Sequence, residues 1–139
     1  MFHPVEYPNL QAEGWVVRSP PSAKYNCIAW AVGENRKWWW PDIGLQYYWP
    51  QGAVRAETVE AFVQAFALMG FLECGPGYDV GIQRIALYAL NGVPKHAAKQ
   101  IDDRLWHSKM GRNINIEHTL RGLEGPVYGQ VIKIFGKSA

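Results

Sequence analysis

The spacing of apolar and polar positions changes along the chain, and each change marks an element. Residues 1–23 carry Pro4, Pro8, Pro20 and Pro21. Their rings remove amide donors and restrict the residues before them, so this segment predicts an extended strap across the body and no long helix. From Tyr25 the run Tyr25-Asn26-Cys27-Ile28-Ala29-Trp30-Ala31-Val32-Gly33 is apolar on all sides after the asparagine. That is the pattern of a buried helix capped by Asn26 and stopped at Gly33, although a short buried strand reads much the same. Two aromatic clusters follow, Trp38-Trp39-Trp40-Pro41 and Tyr47-Tyr48-Trp49-Pro50. Broken by prolines, residues 34–55 predict a long ordered loop. Over 56–69, Val59, Phe62, Val63, Phe66 and Met69 recur at helical spacing, with Glu57 and Glu60 near the positive end and Gly70 closing the run. This predicts an amphipathic helix.

Beyond Gly70 the period falls towards two. Short strands are expected at 70–74, 82–90, 95–101, 105–109 and 129–135, with Asp102-Asp103-Arg104 as the hairpin turn between the third and fourth. A short helix around 116–123 is expected before the last strand. Helices first and strands mostly after predict an α+β fold in which N-terminal helices pack on an antiparallel β-sheet. At 139 residues the chain supports one core, hence a single domain over 1–139.

Composition narrows the function classes. Charged residues are 19%, below the roughly 25% of typical soluble domains, while seven Trp, seven Tyr and five Phe suffice for a packed core. Disorder and coiled coil are excluded. No stretch approaches the roughly 20 apolar residues of a membrane span, and the start of the chain has no signal-peptide character, so a cytoplasmic protein with no membrane partner is expected. Fourteen Lys and Arg against twelve Asp and Glu are scattered along the chain, which leaves no footprint for nucleic acid. Cys27 and Cys74 stand in unlike surroundings and predict free thiols. His3, His96, His107 and His118 lack H-E-x-x-H spacing and no C-x-x-C is present, so neither a metal nor another cofactor is expected.

The candidate chemistry centres on Cys27. A thiol becomes a nucleophile when a helix N-terminus and a nearby imidazole lower its pKa, and Cys27 is the first helical residue if Asn26 is the cap. The imidazole best placed to meet it is His96, read as opening a strand just after a Gly92-Val93-Pro94 turn. Register decides the third residue. A three-residue turn puts His96 on one face with Trp106, Ser108 and Met110, so that Ser108 accepts a hydrogen bond from its ring; a two-residue turn presents His107 and Lys109 instead. His118, read as lying in or near the late helix, is the other candidate, although a solvated surface position is the commoner expectation for it. Cys74 reads as structural. The competing possibility for Cys27 is a small buried hydrophobe in an apolar helix.

A Cys opening a buried helix after Asn, followed by a His on a strand and a polar residue on the next strand, resembles the papain-like cysteine hydrolases, above all their small NlpC-like branch. Asn26-Cys27-Ile28-Ala29-Trp30-Ala31, Trp38-Trp39-Trp40-Pro41, Tyr48-Trp49-Pro50, His96-Ala97-Ala98-Lys99-Gln100 and Trp106-His107-Ser108-Lys109-Met110-Gly111 resemble more closely an uncharacterised family of small bacterial domains. The broader resemblance implies a papain-like fold and a cysteine-dependent hydrolase of amides or thioesters, or an acyltransferase, with Cys27, His96 and Ser108 as a dyad or triad. Its substrate would be a peptide, a protein or an amide-containing small molecule. The glutamine that lines the oxyanion hole of papain-type enzymes has no counterpart in Ser19-Pro20-Pro21-Ser22-Ala23, which leaves the Cys27 amide with Tyr25 or Asn26. Substrate selection falls to the loop of residues 36–50, with Trp38, Trp39, Trp40 and Trp49 as binding residues, although packing accounts for most of these aromatics. Two other functions fit the same residues: a non-catalytic binding module in which that loop is the recognition surface, and a toxin or effector domain acting on a protein.

Overall fold

The computed structural model describes residues 2–139. Met1, part of the predicted strap, lies outside the described residues. Seven strands form one antiparallel sheet: β1 (Val16–Ser19), β2 (Leu72–Cys74), β3 (Ile82–Leu90), β4 (Val93–Gln100), β5 (Leu105–Lys109), β6 (Asn115–Thr119) and β7 (Gln130–Ser138), in the order β1-β6-β5-β4-β3-β7-β2. The helices are short: α1 (Pro8–Glu13), α2 (Cys27–Ala31), α3 (Val59–Leu68) and a 3-10 turn at Arg121–Leu123.

This architecture corrects the expected papain-like α+β fold. Only 17% of the chain is helical, and the fold is β-rich. The cause lies in two segments. Residues 115–119, expected as the start of a helix, form β6, which pairs with β5 on one side and β1 on the other. Its buried positions suit a central strand, with Ile116 and His118 on one face. Residues 16–19, expected as part of the strap, form β1 at the sheet edge. The strap also contains α1, one and a half turns begun by Pro8, the position where a missing amide costs nothing.

The sheet separates two apolar cores. On one face Ile85, Leu87, Ala97 and Phe135 pack against Cys27, Ile28, Ala31, Phe62 and Phe66 of α2 and α3, together with Trp39 and Trp49 of the long loop. On the other face Ala86, Tyr88, Ala98, Trp106, Ile116 and Ile134 are covered by Leu10 of α1, by Leu123 and by Met110 and Ile114. β3 is therefore buried on both faces, which is why it reads as a continuous apolar run. Asn91 and Gly92, both at positive φ (52° and 80°), make the two-residue turn into β4. The turn expected at Gly92-Val93-Pro94 thus lies one residue earlier, and His96 sits inside β4 instead of opening it. A bulge opposite Tyr88 and Ala89 leaves Lys95 exposed on the strand.

The β4–β5 turn is the three-residue alternative. The Ile101 amide donates to the Leu105 carbonyl at 2.9 Å, and Asp102 accepts from the amides of Arg104 and Leu105 at 2.9 and 2.7 Å. Pairing then runs Lys99↔His107 and Gln100↔Trp106 and stops. Towards the start of β4 the two strands part, and the site lies at this parting.

Candidate active site

Asn26 caps α2, its Oδ1 accepting from the Ala29 amide at 3.2 Å. The same oxygen accepts from the Trp39 amide at 3.1 Å, and its Nδ2 donates to the Trp39 carbonyl at 2.7 Å. One side chain thus starts the helix and pins the aromatic loop over it. Cys27, the first helical residue, is 7% exposed. Burial drives its thiol pKa up to about 11; the amides of Ala97, Ile28 and Cys27 itself point towards the sulfur and, with the Lys109 ammonium, offset part of that rise. The expectation of a thiol acidified by its helix is corrected here. A helix of five residues offers little field, and desolvation of the anion outweighs it.

His96 is fully buried. Its Nε2 lies 2.8 Å from Ser108 Oγ, Ser108 Oγ lies 2.6 Å from His118 Nε2, and His118 Nδ1 lies 2.7 Å from the Thr119 carbonyl oxygen. The chemistry of the groups orients this chain. A carbonyl only accepts, so His118 Nδ1 carries a proton and, in the neutral ring, His118 Nε2 is the acceptor. Ser108 therefore donates to His118 and accepts from His96 Nε2–H. The remaining nitrogen, His96 Nδ1, holds a lone pair and is buried without a hydrogen-bond partner. Burial, followed by the nearby His118, holds the His96 pKa well below the ordinary imidazole range, and burial lowers His118 to about 4. Both rings are neutral at pH 7.

Cys27 and His96 form no hydrogen bond to one another: Cys27 packs on the Ala97 face of the sheet and the His96 ring lies on the Tyr88 face, and their surroundings meet where β4 and β5 part. The Ala97 amide, directed at the sulfur, belongs to the peptide that joins Ala97 to His96. Tyr128 stacks on the His96 ring, centroids 4.1 Å apart and planes 11° from parallel, while Tyr88 meets that ring edge-on at 5.4 Å. Tyr128 and Cys27 line the same cavity of about 310 Å³, together with Asn26, Trp38, Trp40, Tyr47, Lys95 and Gly111.

The expected site residues divide accordingly. Cys27, Asn26, Trp38 and Trp40 face the cavity, and Ser108 holds the back of the His96 ring. Trp39 and Trp49 are 2% and 6% exposed and belong to the core, because Asn26 draws Trp39 inwards and the Trp49 indole donates to the Val54 carbonyl at 2.9 Å. Tyr25 is spent on Asn115, its hydroxyl donating to Oδ1 at 3.0 Å. His107 faces α2, packed on Trp30 and accepting from Asn115 Nδ2 at 3.2 Å. His118 is buried on β6 and not solvated on a helix. Sequence reasoning missed Tyr128 and Lys95, while Tyr47 belongs to the 36–50 loop to which it gave substrate selection. The only signal for Tyr128 was an aromatic held between the glycine turns of 125 and 129. Among the described residues, no three His, Cys, Asp or Glu side chains gather as a metal site would need.

No papain-like family matches the chain. No curated protein and no solved structure matches it. Residues 16–136 match a family described as a domain of unknown function, DUF7689. That span takes in the cavity and all the strands but for the last two residues of β7, and the chain belongs to the DUF7689 family.

Proposed function

We propose that the protein is a cysteine-dependent acyl-transfer enzyme, a hydrolase or acyltransferase acting on an amide or thioester, with Cys27 as nucleophile and His96 as general base. The observation that carries this reading is the free lone pair on His96 Nδ1, left over by a hydrogen-bond chain that commits every other nitrogen and hydroxyl in it. Fold kinship contributes nothing to it.

Resting thiol and imidazole are both neutral, so the proton moves as the bond forms. When substrate fills the cavity, the Cys27 proton passes through the parting of β4 and β5 to His96 Nδ1 on the other face of the sheet while the sulfur attacks the acyl carbonyl carbon. The Cys27 amide, first of the helix and without an intrahelical acceptor, is the donor available to the oxyanion. The imidazolium keeps its Nε2–H on Ser108 and returns the Nδ1 proton to the leaving amine or thiolate as the C–N or C–S bond breaks. A thioester on Cys27 remains, and water or an amine releases the acyl group. The substrate is a peptide, a protein or a small amide whose acyl group reaches into the cavity.

Alkylation by iodoacetamide, mapped by mass spectrometry in a Cys74→Ser background, tests this. With a base that stays neutral, the rate at Cys27 is nearly independent of pH from about 6 to 9. In His96→Ala it falls about 10²–10⁴-fold at neutral pH and climbs with pH as a buried thiol of high pKa does. Equal rates and equal pH profiles in the two proteins would refute the assignment.

A further inference from the structure

We infer that the cavity over Cys27 selects an amide with a flat aromatic group beside the scissile bond and a carboxylate beyond it, the carboxylate being held by Lys95. The inference rests on Cys27 being the nucleophile. Its basis is the chemistry of the walls. Trp38, Trp40, Tyr47 and Tyr128 give the cavity aromatic faces, and at about 310 Å³ it is at the small end of ligand sites, suited to one ring and its substituents.

The charges around it have one sign. Lys95 lines the cavity from the β4 bulge and, among the described residues, has no ion-pair partner. Arg112 stands over Trp38, its guanidinium carbon 5.1 Å from the ring centroid. Below, the Lys109 ammonium donates to the carbonyls of Ser22, at 2.6 Å, and of Gly111. No Asp or Glu lines the cavity. Asp42, in the same loop as the tryptophans, is occupied by Arg55 at 3.0 Å and by the amides of Gln46 and Tyr47. A cationic ligand would meet unopposed like charge there, whereas an anionic one finds a free ammonium at the rim. Of the anions, a carboxylate on a rigid ring fits a single lysine donor and a narrow aromatic slot.

The test compares chloroacetanilide with 4-(chloroacetamido)benzoate, two probes of the same shape differing in the distal carboxylate, as alkylating agents of Cys27 in the Cys74→Ser protein. The carboxylate probe is expected to react about tenfold faster at low salt, the size of one charge-assisted hydrogen bond. Lys95→Ala brings the ratio of the two rates to about one, and Lys95→Glu reverses the preference. A wild-type protein that reacts equally with both probes, or a preference that survives Lys95→Ala, overturns the inference while leaving Cys27 as nucleophile intact. If neither probe modifies Cys27, or both react as fast in His96→Ala, the nucleophile assignment fails and the substrate class falls with it.

Discussion

Ser108 has one hydroxyl and two imidazole neighbours, and it serves both in the only polarity the Thr119 carbonyl allows. Replacing it with alanine leaves a His96 N–H and a His118 lone pair buried and unpaired, each costing about 1–3 kcal/mol. The loss also frees His96 to move its proton to Nδ1. Ser108→Ala is therefore expected to lower the denaturant midpoint and to slow alkylation of Cys27 together; slowed unfolding or unchanged alkylation would contradict the polarity drawn here. The sulfur illustrates how magnitudes decide at this scale. Three amides and a lysine favour the thiolate, yet burial wins and the thiol rests near pKa 11. Cys27 needs its base during the reaction, and not merely a field at rest.

Elements hold these groups in place through backbone fit. Gly125 and Gly129 close a two-way backbone bridge, with N···O distances of 2.9 and 2.8 Å, that carries Tyr128 onto the His96 ring. Gly129 has φ +77°, and a Cβ there would lie 1.9 Å from the Ala89 carbonyl oxygen. Left-handed strain and a backbone clash together predict a loss of about 2–4 kcal/mol for Gly129→Ala, read as a lower thermal midpoint. The same element scale explains what the sequence could disclose. Asn26 before an apolar run announced the helix and its cap, and Glu57, Glu60 and Gly70 marked the two ends of α3, whose cap the structure places at Thr58. The turn 102–104 left two registers open, and only the Asp102 contacts with Arg104 and Leu105 select the one that faces His96 to Ser108. Residues 115–119 were misread because five residues show too little periodicity to separate a strand from the start of a helix. Their partners β1 and β5 decide the matter, and one of those was hidden in a proline-rich segment. Tyr128 was illegible for the same reason, since its role depends on a loop meeting β4 across the fold.

At the scale of the whole molecule, two neutral histidines are sealed in the core on the Tyr88 face of the sheet, and acid acts on the fold through them. His118 titrates at about 4 when folded and near 6.5 when unfolded; His96 is shifted in the same direction. The unfolded chain thus takes up protons first as pH falls. The stability that the neutral His118 ring confers is complete above pH 6.5 and is lost between there and about pH 4, at about 1.4 kcal/mol per pH unit, and His96 acts in the same direction. Asp102, held below 3.8 by the amides of Leu105 and Arg104, acts only at lower pH. Urea midpoints should fall clearly from pH 7.5 to pH 5; a flat profile would mean that the rings are charged or exposed. The most direct measurement of the account is long-range ¹H–¹⁵N NMR of the imidazoles in histidine-labelled protein. It should show His96 as a neutral ring protonated at Nε2 and bare at Nδ1, unchanged from pH 8 to pH 5.5, with His118 protonated at Nδ1. A His96 proton on Nδ1, or a ring that becomes charged near pH 6.5, would contradict it.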